Sequence, residues 1–311
     1  MSTLQAKVAP ALNSDRRILG ILTPTGAAML LVVAAAFVAL FFRWFLVQNR
    51  HSSKSLEDWG HAYIIPLICL YLIRMREKDL AVLKPAPFWP GLVPMLLGIM
   101  SYFYCMVAVK NHMLQGFSLV LTVYGAALLL LGPAIARLLF VPIGYLAFGI
   151  TISEAIMNNI TFRLQLVASQ MSEVTLGMLA PLFGFSVQAE GNSIELITAS
   201  GKSHPLTIAE ACAGLRMLIA FLALGVAVAL VACREWWQRI ALVLLAVPVA
   251  LLMNAVRVTV LGLLTLVNPD LAAGEAHTLI GTLLLIPALG LYMGVVWILN
   301  RIVRSGAGGG A

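Results

Sequence analysis

Long apolar segments constrain the fold of this chain more than any other feature of its sequence. Eight of them approach or exceed the roughly 20 residues that a helix needs to cross the hydrocarbon core of a bilayer. Because lipid offers no hydrogen-bond partners to exposed peptide groups, we expect these segments to be helical. Their predicted bounds are 20–42, 59–74, 90–109, 114–133, 136–153, 211–233, 238–266 and 278–300.

Composition agrees with a membrane protein. Apolar residues make up 61% of the 311 residues and charged residues only 11%, against roughly 45–50% and about 25% in soluble domains. The prediction is one integral membrane domain over residues 1–311, an all-α polytopic bundle of about eight helices. The net charge of +7 is then explained by cationic loops, so we expect no nucleic-acid partner. The four cysteines follow no Cys/His metal pattern, and we expect no metal or cofactor.

The distribution of positive charge predicts an orientation. With the N-terminus in the cytoplasm, twelve of the 20 Lys and Arg residues fall on the cytoplasmic side, six on the other side and two inside spans. Cytoplasmic loops carry the excess of Lys and Arg in membrane proteins. Both termini are therefore predicted in the cytoplasm, with residues 1–19 as the N-terminal tail and 303–311 as a flexible C-terminal tail. Residues 154–210 become one large extracytoplasmic loop.

This loop has two parts. Residues 162–182 carry apolar residues at helical spacing, which predicts an amphipathic helix lying against the membrane or over the bundle. Residues 183–208 contain short β-like runs broken at Gly191-Asn192 and Gly201-Lys202. These runs predict a small β-hairpin, although an irregular loop is an alternative.

The most reactive pattern is the heptad Glu210-Ala211-Cys212-Ala213-Gly214-Leu215-Arg216. Four residues separate Cys212 from Arg216, so the two side chains share one face of a helix. A nearby cation and a helix N-terminus both favour the thiolate, which is the nucleophilic form of cysteine. Glu210 could balance the positive charge. The ordinary alternative is an inert buried cysteine beside an arginine that only braces helices.

Polar residues on two later spans are predicted at the same membrane depth as Cys212. Asn254 and Arg257 share one face of the seventh span, and Glu275 and His277 open the eighth. Polar groups inside spans are costly and commonly functional. His61, at the start of the second span, is the alternative imidazole.

Three functions fit these groups. A thiolate near a guanidinium and an imidazole suits acyl transfer on a peptide carbonyl. Arg216 and Arg257 could instead bind an anionic solute in a membrane transporter. The third is a non-catalytic assembly factor for envelope polysaccharide export.

The chain resembles the exosortase/archaeosortase family of membrane cysteine transpeptidases. The resemblance rests on the Cys212 heptad, on Asn254-Ala255-Val256-Arg257-Val258 and on the His277 segment. It implies a catalytic set of Cys212, Arg257 and His277. The spacing and charge of the neighbouring residues predict supporting roles for Arg216, Glu210, Asn254 and Glu275. It also implies a bacterial inner (plasma) membrane location with the site at the extracytoplasmic face.

The implied substrates are secreted proteins that end in a Pro-Glu-Pro-like motif, a transmembrane helix and a basic tail. Cleavage of this sorting signal would pass through a thioester acyl-enzyme. The expected partners are the sorting-signal helix and the lipid bilayer, with either water or a lipid or glycan amine as the acceptor.

Overall fold

Helices dominate the part of the chain that the structure, a computed structural model, describes. That part comprises residues 24–54, 59–207, 215–233, 235–268, 279 and 283–307. The helices are α1 Pro24–Lys54, α2 His61–Met75, α3 Glu77–Val82, α4 Leu92–Tyr104, α5 His112–Leu131, α6 Pro133–Tyr145, α7 Glu154–Phe183, α8 Leu215–Ala232, α9 Trp236–Val267 and α10 Leu285–Ala307. Short 3-10 turns at Trp89–Gly91 and Leu146–Gly149 and a π-helical segment at Cys105–Val109 extend their neighbours.

The apolar segments form helices, which confirms the prediction of a helical polytopic membrane protein. Among the described residues, five helical stretches are long and apolar enough to cross a bilayer, and their bounds are Leu31–Lys54, Trp89–Val109, His112–Leu131, Ile156–Phe183 and Trp236–Val267. Four of these stretches match predicted spans, and the fifth, Ile156–Phe183, lies in the segment predicted as a loop. Four shorter apolar helices, at His61–Met75, Pro133–Gly149, Phe221–Ala232 and Leu289–Leu299, match the remaining four of the eight predicted spans. The last helix runs to Ala307, into the segment predicted as a tail.

The predicted end of the first span was wrong. Helix α1 continues 12 residues beyond position 42, through Arg43, to Lys54. Its polar extension is stabilised by contacts distant in sequence. The amide of Gln48, which is 9% exposed, donates to the carbonyl of Gly149 at 3.1 Å. Such a long-range contact leaves no mark in the local hydropathy.

The loop between α6 and α8 folds into a helix and a sheet. The predicted hairpin is present, and a third strand extends it, giving an antiparallel sheet in the order β1–β2–β3 with bounds Phe185–Glu190, Ser193–Thr198 and Ser203–Thr207. Gly191, at φ 62°, makes the tight two-residue turn between β1 and β2. Gly201, at φ 77°, serves the second turn. The amide of Ala189 donates to the Glu173 carboxylate at 3.1 Å and ties the sheet to α7.

Helix α7 packs with its polar face inward. The predicted apolar stripe is largely exposed, with Val174 57%, Met178 72% and Leu182 77% accessible. Ser169 and Ser172 are fully buried instead. The apolar stripe faces away from the bundle, and this exposure suits contact with lipid. The position of α7 against the membrane or over the bundle stays a prediction.

Helix α7 extends beyond the end of the bundle where α8 begins. Its first turns belong to the cluster around Ile219 of α8. Beyond these turns α7 and α9 run parallel, because Ser172 contacts Ala255 and, farther along both helices, Leu176 lies against Gly262. Since α9 pairs with α8 and, with 32 residues against 18, extends past its start, the later part of α7 follows α9 beyond that start. The length and composition of Ile156–Phe183 also suit a membrane span.

Two glycines bring α4 and α5 into backbone contact. A Cβ at Gly125 would overlap the backbone of Met95, and one at Gly98 would overlap Thr122. Small residues allow this close approach between membrane helices. The pair also shares a hydrogen bond from the Ser118 hydroxyl to that of Ser101 at 3.0 Å.

We predict that alanine has opposite effects at two helical glycines. Gly125→Ala should lower the free energy of unfolding by about 1–3 kcal/mol, because the methyl group forces α4 and α5 apart. Gly294→Ala is the matched control, since nothing lies within 4 Å of a Cβ there, and it should be neutral or stabilising by up to about 1 kcal/mol. Thermal unfolding of the purified protein in detergent measures both. Equal melting temperatures for the two variants would contradict the proposed packing.

Candidate functional site

The structure describes part of the predicted site. Asn254, Arg257 and His61 are described in full, and Arg216 is the second residue of α8. The predicted residues Glu210, Cys212, Glu275 and His277 lie outside the described residues. The structure therefore describes the elements that precede and follow these positions, which are the sheet, α8 and α9.

Arg257 lies on the part of α9 that contacts both α7 and the sheet. It is 21 residues from the start of α9 at Trp236, which is about 30 Å along the helix. Its neighbour Val258 is 1% exposed within the cluster that includes sheet residues Ile194 and Leu196. The guanidinium is half-buried and its Nε is shielded from solvent. Asn254, one turn earlier, is 1% exposed.

Hydroxyl groups line the junction of α7 and α9 on both sides of Arg257. The Ser172 hydroxyl donates to the carbonyl of Ala255 at 3.3 Å. One turn farther along, the hydroxyls of Thr175 and Thr259 share a hydrogen bond. The Ser169 hydroxyl is fully buried without a hydrogen-bond partner among the described residues. The helix bearing Arg257 is thus packed on a polar surface, where charge is less costly than in hydrocarbon.

The described elements on either side of Cys212 both pack against α9. Strand β3 ends at Thr207, and its Leu206 joins the cluster around Val258. Helix α8 begins at Leu215 and pairs with α9 along its length. The chain on both sides of the predicted nucleophile is therefore held by the helix that carries Arg257.

His61 also lies at this end of the bundle. It begins α2, and its ring centroid is 5.9 Å from that of Trp59. Trp59 is 8% exposed and packs with Ile219, on the second turn of α8. The Nε2 atom of His61 is shielded from solvent. This placement keeps His61 as the alternative imidazole.

A basic pocket at the same end was missed in the sequence. It has a volume of about 640 Å³, and its described lining contains two lysines and two histidines, which are Lys54, Lys110, His51 and His112. Four separate segments supply its walls, so no local motif marks it. The sequence feature that could have revealed the pocket is that lysine and histidine residues occur at the predicted outer ends of several different spans.

Lys110 adopts a left-handed conformation at the pocket, with φ 54°, the only positive φ of a non-glycine residue in the described part. Such a conformation costs an L-residue about 1 kcal/mol. Lys110 follows the π-helical segment, and the backbone N–H of Asn111 donates to the Cys105 carbonyl at 3.2 Å. π-Helical segments recur near functional sites.

The described residues contain no group of three or more His, Cys, Asp or Glu side chains placed to hold a metal ion. The available chemistry is that of a partly buried guanidinium and of hydroxyl and amide groups shielded from solvent. This arrangement can stabilise negative charge on a bound group.

Comparison with known proteins gives one match. The family model described as Transmembrane exosortase (Exosortase_EpsH) matches residues 52–294, which is well over half of the chain. No curated protein matches the chain, and no solved structure matches it.

Proposed function

The chain belongs to the transmembrane exosortase family, and we propose that it is a membrane-embedded cysteine transpeptidase or protease. Its substrates would be secreted proteins with a C-terminal sorting signal, made of a Pro-Glu-Pro-like motif, a transmembrane helix and a basic tail. The proposed catalytic residues are Cys212, Arg257 and His277.

The family match carries this proposal. The matched range, 52–294, contains all three proposed catalytic positions and the alternative His61. The packing of Arg257 gives independent support, because its Nε is shielded from solvent at a polar junction of α7, α9 and the sheet. Intramembrane or buried arginines of this kind are rarely incidental.

The proposed reaction begins with attack by the Cys212 thiolate on the peptide carbonyl at the sorting signal. The new S–C bond and the shift of the C=O pair onto oxygen give a tetrahedral oxyanion. When the oxyanion collapses, the C–N bond breaks and His277 protonates the leaving amine. A thioester remains on the enzyme. Water, or an amine on a lipid or glycan acceptor, then attacks it after giving a proton to His277, and the thiolate leaves.

The two arginines would divide the work. Arg216, four residues after Cys212, is placed in sequence to favour the thiolate. Arg257 comes from another helix and would donate to the oxyanion or to a substrate carboxylate. Glu210 and Glu275 would balance the two positive charges, and Asn254 would orient the guanidinium from one turn away.

The proposed setting is the bacterial inner membrane with both termini in the cytoplasm. The end of α1 and the segments that follow α4 and α6 meet the starts of α5 and α7 at one pocket, and the start of α8 lies beside the same region. This grouping agrees with the alternating directions in the charge-based topology. The proposed site would then face the extracytoplasmic side, with the basic tail of the substrate left in the cytoplasm.

We predict that Cys212→Ala and Cys212→Ser each leave the precursor uncleaved, because neither provides a thiolate. The measurement is immunoblotting of a tagged sorting-signal protein from the same genome, with the variant's membrane level followed in parallel. Cys105→Ser is the matched control, since Cys105 is a free, buried cysteine elsewhere in the fold, and it should process normally.

Normal processing by Cys212→Ala would contradict the enzyme proposal. The transporter alternative predicts a different result, in which Cys212→Ser keeps solute flux while Arg257→Ala abolishes it.

We predict that His277→Ala reduces cleavage far more than His61→Ala, by about 100-fold or more if His277 is the general acid. Initial rates of precursor cleavage in membranes with equal enzyme levels provide the comparison. A greater loss for His61→Ala would transfer the catalytic role to the imidazole beside Trp59.

A third prediction concerns the orientation. In a Cys212→Ala background the cysteines at 69, 105 and 233 are buried, so introduced cysteines can be labelled selectively. Lys202→Cys, in the exposed turn before β3, should react with an impermeant maleimide on intact spheroplasts. Glu235→Cys, in the exposed turn between α8 and α9, should react only after permeabilisation. The reverse pattern would overturn the orientation.

A further inference from the structure

The basic pocket has a wall fixed by hydrogen bonds from three segments. The amide of Gln48, on α1, accepts at Oε1 from the Thr151 backbone N–H at 3.3 Å and donates through Nε2 to the Gly149 carbonyl at 3.1 Å. These two bonds fix the orientation of the amide. Oε1 lies 2.9 Å from Nε2 of His112, and because Oε1 only accepts, His112 donates there. The wall is therefore built before any ligand arrives.

Aromatic rings hold His112 from the side. Trp44 stacks on it with centroids 5.1 Å apart and an interplanar angle of 10°, and the indole N–H donates to the His112 carbonyl at 3.1 Å. The ring of His51 lies 5.5 Å away on the pocket lining. Two imidazoles thus occupy one side of the pocket, and that of His112 is held by a hydrogen bond and a stacked indole ring.

The pocket concentrates positive potential. Lys54 and Lys110 are on its lining, and no Asp or Glu is among its described lining residues. Helices α5 and α7, of 20 and 30 residues, both begin at it, through Asn111-His112 and Ser153. Helix N-termini carry partial positive charge and favour anions. The pocket therefore combines two flexible ammonium groups with two oriented helix dipoles.

The ends of candidate spans place the pocket at the level of the bilayer surface. Leu31–Lys54 and Trp89–Val109 end at the pocket, and His112–Leu131 begins there. Apolar side chains beside it are exposed, with Phe45 37% and Val107 68% accessible. A lipid with a negatively charged headgroup and apolar acyl chains fits both the lysine-lined pocket and the exposed apolar side chains.

We propose that this basic pocket binds the phosphate of an anionic lipid headgroup, with the acyl chains lying along the exposed apolar surfaces of α1 and the π-helical segment. Lys54 and Lys110 provide charge-assisted hydrogen bonds to the phosphate oxygens. The imidazoles of His51 and His112 and the starts of α5 and α7 complete the site. The assignment is independent of the proposed peptidase reaction.

Lipid binding is tested on the full-length protein in nanodiscs of phosphatidylcholine with increasing phosphatidylglycerol. The pocket variant is Lys54→Gln/Lys110→Gln. The matched control is Lys78→Gln/Lys84→Gln, which removes the same charge from exposed lysines. The control lysines belong to the end where the Ala86 amide bonds to the Leu131 carbonyl, at the opposite terminus of α5. Native mass spectrometry counts retained phosphatidylglycerol, and thermal unfolding measures its stabilising effect.

The expected result is one tightly retained phosphatidylglycerol on the wild type and on the control. Affinity should fall about tenfold or more in the pocket variant, as the loss of charge-assisted bonds implies. Lys54→Arg/Lys110→Arg should retain binding, because both charges remain. Since Lys54 and Lys110 are exposed, all variants should melt alike in pure phosphatidylcholine.

Three outcomes would overturn the proposal. Equal retention of phosphatidylglycerol by the pocket and control variants would show that the headgroup does not use this pocket. Equal stabilisation by soluble glycerol phosphate at matched concentration would assign the site to a phosphate from solution. Stabilisation by a soluble glutamate-rich peptide, without any effect of phosphatidylglycerol, would assign it to an acidic peptide segment.

Discussion

The length of α9 determines how the rest of the molecule is arranged. Its 32 residues extend about 48 Å, whereas the hydrocarbon core of a bilayer is about 30 Å thick. The first part packs with α8 and α10 around buried Leu242 and Tyr292. The remainder is covered by α7 and the sheet, through Val258 and Leu261. One continuous helix therefore connects the helical bundle to α7 and the three-stranded sheet, which together form an α/β cap, and Arg257 lies where the two meet.

The inward polar face of α7 follows from that connection. Near Arg257, the Ser172 hydroxyl of α7 donates to the Ala255 carbonyl of α9, and the Thr175 and Thr259 hydroxyls share a hydrogen bond. An apolar face of α7 would give up these two bonds between the helices and leave only the bond from the Thr259 hydroxyl to the Ala255 carbonyl within α9. The apolar stripe is consequently left on the outside of the cap, where it offers a surface to lipid or to another apolar helix.

Local hydropathy predicted the helices because long apolar runs have few alternatives in a membrane. It could not predict the end of α1, which depends on Gln48 meeting Gly149, about 100 positions away. Helical spacing located the stripe on α7 but not the side on which it packs. The basic pocket was missed for the same reason as the extension of α1, since its walls come from segments far apart in the chain. The positions of Cys212 and His277 relative to Arg257 stay predictions.

The close pairing of α4 and α5 has a consequence for biogenesis. Only Lys110 and Asn111 separate the π-helical segment from α5, so the two helices leave the translocation channel almost together. The Ser118 hydroxyl of α5 donates to the Ser101 hydroxyl of α4, whereas the Thr122 hydroxyl donates to the Ser118 carbonyl within α5. If α4 entered lipid alone, Ser101 would lack its partner on α5. The pair is thus suited to enter the bilayer as a preassembled helical hairpin, on which helices made later in synthesis can dock.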